Sequence, residues 1–431
     1  MEQKFSYPKT FLLGFGFFGV AVIWAVYNAF VPLFLDGKFG LSAAWIGFFM
    51  TLDNIAAFLI QPPIGALSDR LKTPIGRRMP FILIGAPIAA VAFGLIPMVS
   101  ILPLFVLCTS TLLVSMALWR TPVVALMPDI TPSRFRSQAN GVINFMGGVG
   151  SIIAFLVGAT LYEKNANYPF WLGSILVIIS SLLVFAFIRE PKNIQYSPEN
   201  QPSLTHALMD LIKSKEKSPL RILAAIFFWF VAYNAIEAFF TLYAVKHLNI
   251  PEADGARLLG QLSLIFVLMA LPAGFIGGKI GRKRTIMTGI FLMGSLILAM
   301  YLLPASFLTQ LHAKLPLLGN FYTVSAILML AGLSWALINI NSLPMVVDMT
   351  EDSHIGTFTG LYYMASTIAA ILGPNLNGWI VQLSGNNYSL VMLFSPAFML
   401  AAFIMMAGVK RGEAKPDPVQ SMESFEPSSK S

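Results

Sequence analysis

The chain has 431 residues, 56% of them hydrophobic and only 11% charged, and its mean hydropathy is +0.74. These values exclude a soluble globular protein of this length and indicate a membrane protein with several spans. The net charge of +8 could by itself indicate a nucleic-acid-binding protein. The basic residues lie mostly on one side of the membrane, however, so we expect a lipid bilayer and no nucleic acid as partner.

Twelve apolar segments are long enough to span a membrane, because a helix needs about 20 residues to cross a hydrocarbon core about 30 Å thick. In chain order they are 11–36, 42–67, 80–100, 103–127, 139–161, 168–189, 220–246, 256–277, 285–304, 320–347, 355–382 and 388–409. The division of 80–127 into two spans depends on a short turn near Pro97 to Pro103. We therefore predict an all-α membrane protein with twelve transmembrane helices.

One long polar interruption separates six spans from six. We predict an N-terminal six-helix bundle at 1–189, a cytoplasmic linker at 190–219 and a C-terminal six-helix bundle at 220–410. Residues 411–431 have the polar, proline-rich composition of a disordered cytoplasmic tail. Most of the 28 Lys and Arg residues fall on the side of both termini, which the positive-inside rule assigns to the cytoplasm. We expect a multi-pass protein of the cell (inner) membrane.

The two halves resemble each other in sequence, which predicts two pseudo-symmetric bundles. The tripeptide YNA occurs at 27–29 and at 233–235, and ALWRTPVVALMPDIT at 117–131 aligns without gaps on ALININSLPMVVDMT at 336–350. The apolar stretches of spans 3, 6, 9 and 12 (80–99, 170–188, 286–303 and 389–408) contain no Asn, Gln, Asp, Glu, Lys or Arg, whereas each of the other eight spans contains at least one. Because unsatisfied polar groups are costly in hydrocarbon, we expect these eight spans to enclose a solvated cavity.

The loop after the second span carries a recognisable motif, QPPIGALSDRLKTPIGRRMPF at 61–81. This motif resembles the cytoplasmic signature of the major facilitator superfamily, and the two six-span halves make the whole chain similar to that family. The long spacing between Asp-Arg and Gly-Arg-Arg, together with ALMPD at 125–129, resembles the sucrose:proton symporter branch of the glycoside-pentoside-hexuronide:cation symporters. That branch usually has an Arg directly before its ALLAD pattern; here Val124 stands there, and Arg120 lies one turn earlier.

The resemblance implies a gate of paired charges at the cytoplasmic ends of the helices. The candidate gate residues are Asp69, Arg70, Arg77, Arg78, Asp129 and Asp348. Exposed ion pairs contribute only 0 to about 1 kcal/mol. Such charges could therefore also be simply solvated.

Three ionisable residues lie well inside predicted spans: Asp53, Arg120 and Glu237. A charge at mid-bilayer costs roughly 2.5 to 3.5 kcal/mol on insertion scales, so retained charges generally face a cavity, pair with each other or carry ions. We predict that Asp53 or Glu237 exchanges a proton and that Arg120 anchors substrate or tunes the neighbouring acid. The alternative is a permanent Asp53–Arg120 ion pair that joins two helices. Sodium-coupled melibiose-type relatives carry paired acids where Ala57 and Gln61 stand here, which argues against that sodium site.

Aromatic and amide residues recur at i, i+4 spacing, which places them on common helix faces. A sugar needs such faces, because its apolar C–H surfaces stack on rings and its hydroxyls require fixed donors and acceptors. The candidate substrate-binding residues are Trp24, Tyr27, Asn28, Asn54, Arg120, Tyr233, Asn234, Trp335 and Asn339. The alternative is that the amides bond helix to helix, at typically about 0.6 kcal/mol each, as we expect for Asn375 and Asn377.

These features predict a secondary transporter and not an enzyme. The four His residues show no metal spacing, and the single Cys108 excludes an intramolecular disulfide and a Cys-based metal site, so we expect no metal and no cofactor. The resemblance and the sugar-type residues predict monomeric, proton-coupled symport of a di- or oligosaccharide or glycoside by alternating access. The alternative is proton-driven efflux of amphipathic small molecules. The sugar, the coupling ion, the direction of transport and the titrating acid stay open.

Overall fold

The computed structural model describes residues 6–131, 135–190, 204–350 and 354–413. Within these residues, twelve helical segments are long and apolar enough to cross a membrane. Helices dominate because hydrocarbon offers no hydrogen-bond partner, so each spanning segment must satisfy its own backbone N–H and C=O groups. The protein is a multi-pass membrane protein.

The first half consists of seven helices. They are α1 (Tyr7–Gly37), α2 (Ala43–Phe49), α3 (Leu52–Arg70), α4 (Met79–Leu95), α5 (Leu102–Ile130), α6 (Arg136–Tyr162) and α7 (Tyr168–Phe187). The predicted second span is divided between α2 and α3 by a turn, where the Thr51 hydroxyl donates to the Phe48 carbonyl at 2.7 Å. The predicted turn near Pro97 to Pro103 is confirmed, since a 3₁₀ turn at Ile96–Met98 precedes α5.

The second half contains helices and one hairpin. The elements are α8 (Leu204–Lys213), α9 (Ser218–Lys246), α10 (Glu252–Ile280), α11 (Arg282–Leu302), α12 (Ala305–Leu308), β1 (Leu311–Leu315), β2 (Gly319–Tyr322), α13 (Thr323–Val347), α14 (Ile355–Leu383) and α15 (Val391–Ala407). The strands are antiparallel, and Gly319 pairs with Leu315. Gly319 has a φ of +73°, a conformation that glycine adopts without steric cost. The sequence did not predict this hairpin, because its strands have only 5 and 4 residues.

Proline positions agree with the helix starts. A proline occupies the first turn of α1, α4, α5, α7 and α9. There its missing N–H would have no intrahelical partner in any case, and its fixed φ suits the helix. These prolines therefore mark several span boundaries in the sequence.

Each half packs around its own central helix. In the first half α1 lies against α5, α6 and α7, and in the second half α9 lies against α10, α14 and α15. The halves meet where α2 packs on α14 and α6 packs on α10. The predicted fold class, twelve transmembrane helices in two pseudo-symmetric six-helix bundles, is confirmed.

The two ends of the bundle carry different elements. The linker face is the end that carries Glu190 and α8, and the hairpin face is the opposite end, which carries β1 and β2. The predicted linker at 190–219 contains α8 in its described part. The predicted disordered tail lies outside the described residues except for 411–413. The exact bundle boundaries stay a prediction.

Candidate functional site

Among the described residues, α1, α3 and α5 line a cavity of about 140 Å³ in the first half. Its wall consists of Trp24, Asn28, Asp53, Asn54, Ala57, Gln61, Leu113, Met116, Ala117 and Arg120. Five of these residues were predicted as site residues: Trp24, Asn28, Asp53, Asn54 and Arg120. A polar wall of this kind inside a membrane bundle can bind a hydrophilic solute, because amides, a carboxyl group and a guanidinium supply both donors and acceptors.

Asp53 and Arg120 face this cavity without forming an ion pair with each other in the described part of the chain. The Asp53 carboxylate instead accepts a hydrogen bond from the Asn54 amide at 2.8 Å. Arg120 is close enough to Asp53, and to Tyr363 of the second half, for electrostatic interaction. The alternative of a permanent Asp53–Arg120 contact between two helices is therefore not what the structure shows.

Glu237 reaches the same region from the other half. The Asn28 side-chain amide on α1 donates to the Glu237 Oε1 atom on α9 at 3.2 Å. Glu237 and Asp53 also interact electrostatically. Glu237 is thus bonded to Asn28, which lines the same cavity as Asp53, and this hydrogen bond crosses the boundary between the halves.

None of the predicted substrate-binding residues of the second half lines this cavity. Two of them, Tyr233 and Trp335, form an aromatic cluster with Phe230. Tyr233 stacks on Trp335 with ring centroids 3.9 Å apart and an interplanar angle of 6°. Phe230 meets the edge of Trp335 at 5.5 Å. The Asn234 amide donates to the Phe230 carbonyl of its own helix at 2.7 Å, which is not the helix-to-helix bond of the alternative interpretation. Asn339 is half-buried on α13.

Tyr27 corrects one detail of the sequence-based site. It was predicted as a substrate-binding residue, but it is 1% exposed and absent from the cavity wall. Its ring packs against Trp24 in an edge-to-face arrangement at 5.8 Å. Tyr27 therefore supports the Trp24 ring, because residues three apart on a helix are neighbours on its surface.

The sequence profile of the Major Facilitator Superfamily matches residues 13–311 and 258–430. The chain belongs to the Major Facilitator Superfamily. It is similar to the class H tetracycline resistance protein of Pasteurella multocida, at 28% identity over 190 residues that cover 40% of this chain and 44% of that protein. It is also similar to the hexuronate transporter of Bacillus subtilis, at 23% identity over 389 residues that cover 85% of both chains.

The fold is similar to that of solved transporters in the same superfamily. A crystal structure of a mutant of the nucleoside transporter NupG superposes with a TM-score of 0.71 at 17% identity, covering 93% of this chain and 100% of that chain. The superposition shows the shared fold, and the profile match makes the chain a Major Facilitator Superfamily transporter.

At the linker face, most of the predicted gate residues lie in two charge networks. Arg78 pairs with Asp69 and, at 3.1 Å, with Asp129. Arg77 also pairs with Asp129, at 2.8 Å, and in the second half Arg282 pairs with Asp348. Each network lies within one half, so the described residues show these charges bracing helix ends inside a bundle. The sixth predicted gate residue, Arg70, is exposed.

Glu190, which the sequence did not predict as a site residue, completes the first network. Its carboxylate accepts hydrogen bonds from the backbone N–H groups of Arg77, Arg78 and Met79 at 2.9 Å each. These groups begin α4, and a negative charge at a helix N-terminus is favourable because of the helix dipole. The available signal was its position directly after the sixth span, which was interpreted as the start of the linker.

At the hairpin face, polar contacts do connect the two halves. The buried Arg257 donates to Glu163 of α6's C-cap at 2.6 Å and to Asp254 at 2.7 Å. Lys246 pairs with Asp36 at 2.6 Å. The hydrogen bond from Arg257 lowers the pKa of Glu163, which lies beyond the end of the span, below its ordinary value. These residues were not predicted, because each lies near the end of a span where single charges carry no sequence signal.

The β1–β2 hairpin holds Asp254, the second partner of Arg257. Asp254 accepts hydrogen bonds from the Asn320 amide at 2.9 Å and from the Tyr322 hydroxyl at 3.0 Å. Burial and the Asp254 carboxylate raise the pKa of the Tyr322 hydroxyl. The hairpin therefore fixes the acid that orients Arg257 towards Glu163.

Proposed function

We propose that this transporter carries a sugar together with a proton by alternating access. The observation that supports this proposal is the polar cavity of the first half, whose wall includes Asp53 and whose Asn28 bonds to Glu237 of the second half. A solute in the cavity would thus lie next to the acids and next to the boundary that must rearrange during transport.

Proton coupling follows from the two acids. One proton moved through 100 mV supplies about 2.3 kcal/mol, which at about 1.4 kcal/mol per tenfold ratio supports roughly a fifty-fold substrate gradient. A single titrating carboxyl group is sufficient for that stoichiometry. In this proposal Asp53 or Glu237 exchanges the proton, and Arg120, which has no direct ion pair with Asp53, is available to the substrate.

The sugar assignment rests on the chemistry of the wall. The Trp24 ring offers an apolar face, while Asn28, Asn54 and Gln61 offer amide donors and acceptors. The similarity to a hexuronate transporter supports a sugar-derived substrate. We retain the sucrose:proton symporter branch, a di- or oligosaccharide or glycoside substrate and a monomeric state as parts of the proposal.

We assign the linker face to the cytoplasm of the cell by the positive-inside rule. Among the described residues, the hydrogen bonds and ion pairs that join the two halves lie at the level of Asn28 or towards the hairpin face. With the linker face in the cytoplasm, these contacts close the outer end of the bundle, as in an inward-facing conformation.

A second candidate function is proton-driven efflux of an amphipathic small molecule. The similarity to a tetracycline resistance protein favours it, and so does the stacked pair of Tyr233 and Trp335 near the midplane. Drug sensitivity of a strain lacking the protein, without any sugar growth defect, would support this second function.

Uptake into proteoliposomes tests the proposal. We expect one member of a panel of di- and oligosaccharides, glycosides and uronates to accumulate under an inward pH gradient and not under a sodium gradient alone. We expect Asp53→Asn or Glu237→Gln to abolish accumulation while exchange of labelled for unlabelled sugar continues. Full uphill uptake by both variants would contradict the assignment of the acids, and absence of any sugar uptake would favour the efflux function.

A further inference from the structure

The linker helix α8 has an apolar surface that is exposed among the described residues. Ala207, Leu208 and Leu211 pack against the core. Met209 and Ile212, which are three residues apart and so share a different face, are 55% and 49% exposed. A short helix with a second apolar face is stable at a membrane–water interface, where that face enters the headgroup and acyl boundary.

Four exposed basic residues lie beside this surface and are defined here as the basic cluster: Lys213, Lys215, Lys410 and Arg411. They come from two distant segments, which meet where the Lys410 backbone N–H donates to the Ser218 hydroxyl at 3.0 Å. Lys410 and Arg411 both interact electrostatically with Glu216. The acids in the described part of these two segments are Asp210, Glu216 and Glu413, and the Glu413 carboxylate accepts hydrogen bonds from the backbone N–H groups of Arg282 and Lys283.

The position of the basic cluster is set by two membrane spans. Lys213 and Lys215 precede α9, and Lys410 and Arg411 follow α15. The exposed face of α15 consists of Leu393, Leu400 and Ile404, as expected of a lipid-facing helix. The cations are therefore at the depth of the lipid headgroups on the outer, lipid-facing edge of the second half.

Two neighbouring basic residues, Arg221 and Lys217, bond to carbonyl groups of the protein itself. Arg221 donates to the Gly408 carbonyl at 2.6 Å, and Lys217 donates to the Ile212 carbonyl at 2.6 Å. These bonds satisfy carbonyl groups at the ends of α15 and α8. They hold the two segments and the end of α8 in place and do not involve the side chains of the four cluster residues.

We propose that α8 and the basic cluster form a binding site for an anionic phospholipid. The phosphate-containing headgroup contacts Lys213, Lys215, Lys410 and Arg411, while Met209 and Ile212 contact the upper acyl chains. The arrangement fits a lipid better than a free phosphate ion, because only a lipid uses the apolar surface and the cations at once. The site is independent of the transported substrate.

Retention of lipid by the purified full-length protein, measured by native mass spectrometry, tests this proposal without any transport assay. The probes are palmitoyl-oleoyl phosphatidylglycerol and phosphatidylcholine with the same chains, supplied in equal amounts. We expect the wild type to retain phosphatidylglycerol preferentially. Lys410→Gln with Arg411→Gln is expected to reduce that preference about ten-fold or more, since each cation near a lipid surface contributes about five-fold.

The matched control is Lys279→Gln with Arg284→Gln, which removes one Lys and one Arg that are also exposed at the linker face of the second half. It is expected to keep the preference. Met209→Ser with Ile212→Ser should lower retention of both lipids without changing their ratio. Unchanged melting temperatures in detergent would show that each variant is folded.

Three results would overturn the proposal. If the cluster variant and the control variant lose the preference equally, the site is general surface charge. If inorganic phosphate displaces phosphatidylglycerol as well as added phosphatidylglycerol does, or if the cluster variant keeps the wild-type ratio, the cluster serves a free anion or an acidic segment of the chain beyond residue 413.

Discussion

Asn28 and Asn234 occupy matching positions in the two YNA repeats but make different hydrogen bonds. Asn28 donates across the boundary between the halves to Glu237, whereas Asn234 donates to the Phe230 carbonyl of its own helix. The first half also has an amide at the cavity wall where the second half has an aromatic cluster. The repeat therefore records shared architecture, and its two asparagines have separate roles.

Replacing Asn28 by Ala should impair coupling. A hydrogen bond to a charged group contributes about 1.5 to 3 kcal/mol, so Asn28→Ala is expected to reduce pH-driven uptake about ten-fold or more. Asn234→Ala, which removes a bond within one helix, should reduce it by clearly less. Initial uptake rates in proteoliposomes measure both variants, and equal losses would remove the special role assigned to Asn28.

At the scale of the elements, α2 and α14 approach each other through glycines. A Cβ atom on Gly378 would collide with the Ala43 carbonyl, and one on Gly47 would collide with the Pro374 carbonyl. Small residues permit this close backbone contact, which is the usual basis of helix association in membranes. The Asn375 amide adds a hydrogen bond to Thr51 at 3.0 Å, and the Asn377 amide bonds to the Ala235 carbonyl of α9 at 3.4 Å, so both join helices as predicted.

Gly378→Ala should destabilise the conformation that is closed at the hairpin face. Overpacking typically costs about 1 to 3 kcal/mol, so we expect a melting temperature several degrees lower in detergent. Gly278→Ala is the control, because a Cβ atom there would meet no atom within 4 Å. A melting temperature for Gly378→Ala equal to that of the control would show that the two helices can separate freely.

At the scale of the whole molecule, the two faces differ in how charges are paired. The networks of the linker face lie within each half, while Arg257–Glu163 and Lys246–Asp36 connect the halves at the hairpin face. The pairs that connect the halves must separate when the bundle opens at the hairpin face. They therefore stabilise the conformation that is closed there. In this arrangement the hairpin face is the gate that the structure shows closed.

Acid should open the hairpin face through Glu163. The pKa of Glu163 is lowered from 4.5 in the closed conformation by its hydrogen bond from Arg257. The stabilisation of that conformation is therefore fully present above this ordinary value and is lost as the pH falls through the lowered pKa. Spin labels at Lys164 and His312 should report a constant short distance from about pH 8 to pH 5 and a longer one only in stronger acid.

Two variants complete this experiment. Glu163→Gln should lengthen the average distance at neutral pH and remove the acid-dependent change, because the neutral amide has no charge to titrate. Glu252→Gln alters the neighbouring contact with Tyr162 and should preserve the acid-dependent change of Glu163. Acid-dependent opening that persists in Glu163→Gln would assign the transition to another group.

The candidate site was predictable in part because burial of a charge leaves a trace in the sequence. Asp53, Arg120 and Glu237 are conspicuous in apolar spans, and the cost of such charges indicated a cavity. Gln61 lies two helical turns from Asp53 and could have been added by the same periodicity. Glu190, Glu163 and Arg257 could not have been predicted in this way. A charge near the end of a span can contact water, lipid headgroups or another side chain of the protein.

The sequence by itself determined the twelve spans, the two halves and the presence of ionisable groups inside the membrane. These properties follow from local hydropathy and segment length, which the thickness of the bilayer fixes independently of packing. Only the tertiary structure decided that Asp53 and Arg120 share a cavity without pairing, that Asn28 bonds to Glu237, and that Arg257 joins the halves through Glu163. Those contacts depend on the rotation and approach of helices far apart in the chain, which side-chain packing sets and local sequence does not.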